Sequence, residues 1–183
     1  MFTLVIGGSA SGKSDYAERF VQSQDGSGPC IYVATMEPFG REAQDRIARH
    51  HAMRRDRGFE TLECYRNIGN ISVPPTSRVL VEDLGNLAAN ELFGGDGFSE
   101  EEISSLPKRI AEEIEKLRAG CAHLTIVTNE VFSGGKNYEG DTLTYMRVLA
   151  ELGRIFAARA DFVVEVVCGL PDVLKGPDQE KRQ

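Results

Sequence analysis

What this chain has little of already narrows its function. Its 183 residues hold 21 lysines and arginines against 28 aspartates and glutamates, a formal charge of −7. Proteins that grip a nucleic-acid backbone carry a basic face, so no nucleic-acid partner is expected; small anions can still be held by local dipoles. The four cysteines, Cys30, Cys64, Cys121 and Cys168, form no C-x-x-C pair. Three lie in or beside apolar stretches, which suits reduced core thiols in a cytoplasmic protein. No apolar run approaches the roughly 20 residues that span a bilayer, and no charged leader precedes an apolar region, so a soluble, unexported protein is expected. Internal repeats and domain linkers are also lacking. The length suits one sizeable core, with 1–174 as a single domain and 175–183 "KGPDQEKRQ" as a disordered tail.

What is present is an alternation. Five short apolar segments rich in β-branched residues, 2–6 "FTLVI", 30–35 "CIYVAT", 78–82 "RVLVE", 123–128 "HLTIVT" and 162–168 "FVVEVVC", predict strands buried on both faces. Helical patterns separate them at about 12–23, 40–55, 84–93, 100–119 and 141–160. This order predicts an α/β fold with a mostly parallel, RecA-like sheet flanked by helices, and places ligands at the carboxyl ends of the strands. The Gly-rich loops 93–99 "FGGDGFS" and 132–140 "FSGGKNYEG" are candidates to cover such a site.

The first strand runs into "GGSASGKS", residues 7–14, where Gly7, Gly12, Lys13 and Ser14 satisfy the P-loop pattern G-x-x-x-x-G-K-[ST]. Glycines let successive backbone N–H groups face phosphate oxygens, and the following helix adds its positive end. Lys13 is expected at the β- and γ-phosphates and the Ser14 hydroxyl on Mg²⁺. The competing reading is a Gly-rich turn with an exposed lysine. A P-loop NTPase also needs an acidic partner at another strand end, and "RVLVEDLGN" offers Glu82 and Asp83. We assign Glu82 to the metal, through water, and Asp83 to capping the next helix. Thr128, Asn129 and Glu130 border the same cleft by position, a helix cap or turn being an equally good reading.

Of three histidines, His123 opens a strand and reads as structural. The other two are adjacent in "RIARHHAMRR". On a helix over 41–55, Glu42, Arg46, His50 and Arg54 share one stripe, with Ile47 and His51 on its neighbour. Guanidinium groups around His50 favour a neutral imidazole and also bind phosphate, so His50 is a candidate nucleophile toward an α-phosphate. A basic face that is merely solvated is the bland alternative.

Taken together, GG-x-x-SGKS, "YVAT" at 32–35, "RI-x-x-HH" at 46–51 with Arg55, Phe59, Thr61 and Glu63, "TNEV" at 128–131, "AD" at 160–161, "GLP" and Lys175 resemble the adenosylcobinamide kinase / adenosylcobinamide-phosphate guanylyltransferase family. The resemblance implies a bifunctional enzyme of cobalamin biosynthesis. It would phosphorylate adenosylcobinamide with ATP or GTP, then transfer GMP from GTP to that phosphate, with His50 carrying the GMP. It further implies catalytic roles for Lys13 and Glu82, and nucleotide contacts from Gly7, Gly8, Ser9, Ala10, Ser11, Gly12, Lys13, Ser14, Thr35, Arg46, Arg55, Glu63 and Glu82. Mg²⁺ would sit at Ser14 and Glu82, and the assembly would be a homotrimer. The chain departs from the family's pattern at Ala10, at Asp83-Leu84-Gly85, over 132–140, and at Met146-Arg147 and Gly153-Arg154. Two other readings therefore stay open: a small-molecule kinase without histidine chemistry, and a non-catalytic nucleotide-binding paralogue.

Overall fold

The computed structural model describes residues 1–38, 56–95, 99–134 and 138–177. Seven strands form one sheet: β1 (Phe2–Gly7), β2 (Cys30–Ala34), β3 (Phe59–Glu63), β4 (Arg78–Glu82), β5 (His123–Asn129), β6 (Phe162–Val167) and β7 (Leu170–Lys175). Their spatial order is β3-β2-β4-β5-β1-β6-β7, all parallel except the final β6–β7 pair. The helices are α1 (Lys13–Ser23), α2 (Leu84–Phe93), α3 (Glu100–Ala119) and α4 (Gly140–Arg159).

The apolar runs become inner strands because both faces of the sheet are covered. Along the strands, Leu4, Ile31, Val33, Val79, Val81, Leu124 and Ile126 pack into the core beneath α2, α3 and α4. Their sequence neighbours Val5, Tyr32, Leu80 and Val127 pack with Ala17 and Val21 of α1 on the other face. Period-two alternation thus splits one apolar run between two cores. β5 lies between the P-loop strand β1 and the acidic strand β4, so the carboxyl ends of all three open on one edge of the sheet.

Residue type also sets the helix ends. Ser99 accepts from the Glu102 N–H while the Glu102 carboxylate accepts from the Ser99 N–H at 2.8 Å, closing a capping box at the start of α3. Ser99→Ala is expected to cost about 1 kcal/mol, read as a lower urea midpoint at unchanged slope.

Two strands were not expected from the sequence. β3 "FETLE" and β7 "LPDVLK" are the sheet edges. Edge strands keep one side in water and tolerate charge and proline, so they lack the apolar signature of the inner five; Leu170 is 72% exposed. β7 also corrects the expected start of the tail. Lys175 ends this strand, and its ammonium donates to the Ala157 and Ala158 carbonyls at the end of α4, at 3.2 and 2.9 Å. The expected helix over 40–55 falls outside the described residues.

Candidate active site

The loop between β1 and α1 is shaped by what cannot fit there. A Cβ on Gly7 would stand 2.5 Å from Ser11 Oγ and 2.8 Å from the Val166 carbonyl oxygen, so only glycine lets the chain turn there. Gly12, at the N-terminus of α1, has φ 87°, and a side chain on it would press against Gly169 at 3.2 Å. Ala10 also takes a left-handed φ of 56°. Inside the loop the Ser11 N–H donates to the Gly8 carbonyl at 3.2 Å. From outside, the turn between β6 and β7 clamps it: Cys168 and Gly169 both have positive φ, and the Gly169 N–H donates to the Ser11 carbonyl at 2.7 Å. A two-residue turn with both φ positive is the tight hairpin connection.

Lys13 begins α1 and folds back over the loop, its ammonium donating to the Gly8 carbonyl at 3.1 Å. Only 8% of it is exposed. A cation this buried with a carbonyl partner is set to exchange that partner for an anion held at the loop. One residue on, the Ser14 hydroxyl donates to Oε1 of Glu82 at the end of β4, and the Tyr32 hydroxyl donates to Oε2 at 2.9 Å. A hydroxyl and a carboxylate side by side are the hard oxygen donors that Mg²⁺ takes, with phosphates and water completing its shell.

Tyr32 had no role from the residues alone. It is buried in β2, edge-on to Phe59 at 6.2 Å, so its hydroxyl is held where it fixes one oxygen of Glu82. Tyr32→Phe removes that bond without a cavity. It is expected to raise the Mg²⁺ concentration for half-maximal nucleotide binding by roughly tenfold while leaving turnover at saturating Mg²⁺ nearly intact. An unchanged Mg²⁺ titration would contradict it.

Asp83 caps α2 as expected, its Oδ1 accepting from the Asn86 N–H at 2.6 Å, and Oδ2 accepting from the Asn129 side-chain amide at 2.8 Å. Burial raises its pKa above the usual carboxylate range, opposed by those two bonds and by the charge of Lys13. Asn129 thus borders the cleft, whereas Glu130 turns away to accept from the Phe132 and Ser133 N–H groups. Tyr145 of α4 comes close to the same point: built on Gly85, a Cβ would stand 2.8 Å from the Tyr145 hydroxyl, 3.2 Å from Asp83 Oδ1 and 3.8 Å from Asn129 Nδ2. Burial and the Asp83 charge both raise the Tyr145 pKa, keeping it a donor.

The other expected residues divide. Thr35 is fully buried and its hydroxyl donates to the Asp83 carbonyl at 2.8 Å, so it braces the ends of β2 and β4 rather than reaching into the cleft. Glu63 ends β3 in register with Ala34, which pairs on its other side with Glu82. At about 4.8 Å per strand it stands roughly 10 Å from Glu82, and its Oε2 accepts from the Tyr65 hydroxyl at 2.7 Å. His123 Nε2 lies 3.1 Å from the Asp25 carbonyl at the opposite end of the sheet, in keeping with a structural role. Cys30, Cys64 and Cys121 are free and at least partly buried, burial pushing the Cys121 thiol up to about 11; Cys168 is exposed in the clamping turn. Arg46, His50 and Arg55, with the rest of their stripe, lie outside the described residues. Among the described residues no helix is long and apolar enough to cross a membrane.

Comparison with known proteins meets this geometry. A flagellar accessory protein, FlaH, of Methanocaldococcus jannaschii aligns with 96% of this chain and 78% of its own at TM-score 0.45 and 13% identity, a likeness too distant to bear on function. Two proteins described as bifunctional adenosylcobalamin biosynthesis protein CobU are nearer. That of Salmonella typhimurium is 31% identical over 181 residues and that of Escherichia coli 30% over 180, each alignment covering 93% of this chain and 97% of the relative. The family model for cobinamide kinase / cobinamide phosphate guanyltransferase matches residues 3–174, from the second residue of β1 to the last but one of β7. With its P-loop, its acidic strand end and this match along nearly its whole length, the chain belongs to the cobinamide kinase / cobinamide phosphate guanyltransferase family.

Proposed function

We propose that this protein is a cytoplasmic, bifunctional enzyme of adenosylcobalamin biosynthesis. It phosphorylates the side-arm hydroxyl of adenosylcobinamide with ATP or GTP and then joins GMP from GTP to the new phosphate. The observation that carries this reading is the Ser14–Glu82 pair beside a buried Lys13 at the foot of a P-loop. In the first reaction the loop N–H groups take the phosphate oxygens, and Lys13 leaves the Gly8 carbonyl for the β- and γ-phosphates. Ser14 would hold Mg²⁺ directly and Glu82 through water. When bound, the ion neutralises phosphate charge. Tyr32 keeps Glu82 turned toward Ser14.

The second reaction uses His50. A neutral ring nitrogen attacks the α-phosphorus of GTP; the N–P bond forms, and pyrophosphate leaves with the electron pair of the broken P–O bond. An oxygen of adenosylcobinamide phosphate then attacks the same phosphorus, the N–P bond breaks, and the imidazole is restored. Arg46 and Arg55 would hold phosphate oxygens near it. The working form is a homotrimer.

The test is chromatography of the products formed from adenosylcobinamide, GTP and Mg²⁺. The phosphate should appear first and the GDP-linked product after it. Accumulation of the phosphate alone would reduce the protein to a kinase, and absence of both would reject the reading.

A further inference from the structure

Beside the phosphate cradle, α2 and α4 leave an open pocket of about 380 Å³ lined by Ala89, Phe93, Asp141, Thr142 and Tyr145. Ala89 and Phe93 stand one turn apart on α2, and the other three come from the first turns of α4. Phe93 is 51% exposed, a large apolar side chain on the wall of a partly polar recess.

Tyr145 joins this pocket to the reacting end of the sheet. Tyr145 lines the pocket, and its hydroxyl is the nearest atom to the missing side chain of Gly85, with Asp83 and Asn129 around the same point. Among the described residues that hydroxyl makes no hydrogen bond. Any side chain at Gly85 would place its Cβ 2.8 Å from the Tyr145 hydroxyl. The glycine and the tyrosine therefore act as a pair.

We propose that the pocket between α2 and α4 receives the acceptor's hydroxyl-bearing arm and one edge of its ring, with the Tyr145 hydroxyl directing the acceptor oxygen toward the phosphates. The inference rests on the activity proposed above and assigns the acceptor half of that site. The volume is at the lower end of the roughly 300–1,000 Å³ of ligand pockets, so an arm and an edge enter while the macrocycle stays outside. Phe93 and Ala89 meet apolar ring surface. Asp141 and Thr142 accept from the amide N–H groups that fringe a corrin ring. An amide-bearing occupant with no anionic group on the part that enters suits a wall with one carboxylate and no described cation.

The experiment is equilibrium dialysis of adenosylcobinamide against protein saturated with a non-hydrolysable GTP analogue, followed by acceptor and nucleotide KM values. Tyr145→Phe is expected to raise the acceptor KM roughly three- to tenfold, the worth of one neutral hydrogen bond. Gly85→Ala and Phe93→Ala should likewise weaken corrinoid binding several-fold, and nucleotide affinity should stay within twofold in all three. Thermal melts identify a variant that fails to fold, and the isosteric Tyr145→Phe keeps the test decisive if Gly85→Ala does. If the parent binds adenosylcobinamide and all three variants bind it equally, the pocket assignment falls and the activity stands. If the parent binds none, both fall. A Phe93→Ala protein of reduced assembled mass would make this face a contact between copies and overturn the assignment.

Discussion

Lys13→Ala is expected to lower kcat/KM for phosphorylation and for guanylyl transfer alike, each by about 10²- to 10³-fold, the usual loss when one preorganised electrostatic contact to the transition state is removed. In the mechanism proposed above both transfers develop charge on phosphate oxygens held at the same loop, and Lys13 is folded over that loop. Its partner is a backbone carbonyl, so truncation leaves no carboxylate unpaired in the loop, and the protein should melt within a few degrees of the parent. Two initial-rate assays and one melting curve check this. A loss confined to phosphorylation would mean that GTP gives up its GMP somewhere other than the P-loop.

The second large effect separates the two activities. His50→Ala should leave phosphorylation of adenosylcobinamide within a few-fold of the parent and reduce guanylyl transfer by roughly 10⁴-fold or more, the scale seen when a covalent nucleophile is deleted. The corrinoid phosphate should then accumulate as an end product. Equal loss of both activities would make His50 a phosphate-binding residue rather than a carrier of GMP.

How much of this was legible in the sequence depends on distance along the chain. β1, β2, β4, β5 and β6 are inner strands whose two covered faces demand apolar residues throughout, so their composition announces them. The edges β3 and β7 answer to no such demand and pass for irregular connections, the last residue of β7 falling in the expected tail. The loop between β1 and α1 was readable because Gly7 through Ser14 are consecutive, and Glu82 because it ends an apolar run. Tyr32 reaches Glu82 across 50 residues, and Gly169 clamps Ser11 from the far end of the chain. No local pattern encodes either contact. Thr35 shows the converse: it sits in the right motif, yet the fold uses its hydroxyl to brace Asp83.

Two of the departures that the resemblance implies, at Asp83 and Gly85, acquire a physical reading. Asp83 caps α2 and is held by Asn129, and Gly85 makes room for the Tyr145 hydroxyl. Both changes fall at the end of β4 that faces α4, on the side assigned to the acceptor. Lys13, Ser14 and Glu82 lie together at the foot of the loop between β1 and α1.

Intact-protein mass after incubation with GTP and Mg²⁺, with His50→Ala run in parallel, tests the central claim most directly. The account predicts one added GMP on the parent, released by adenosylcobinamide phosphate, and none on the variant. An unmodified parent that still consumes GTP, or a variant that carries the same adduct, would contradict it.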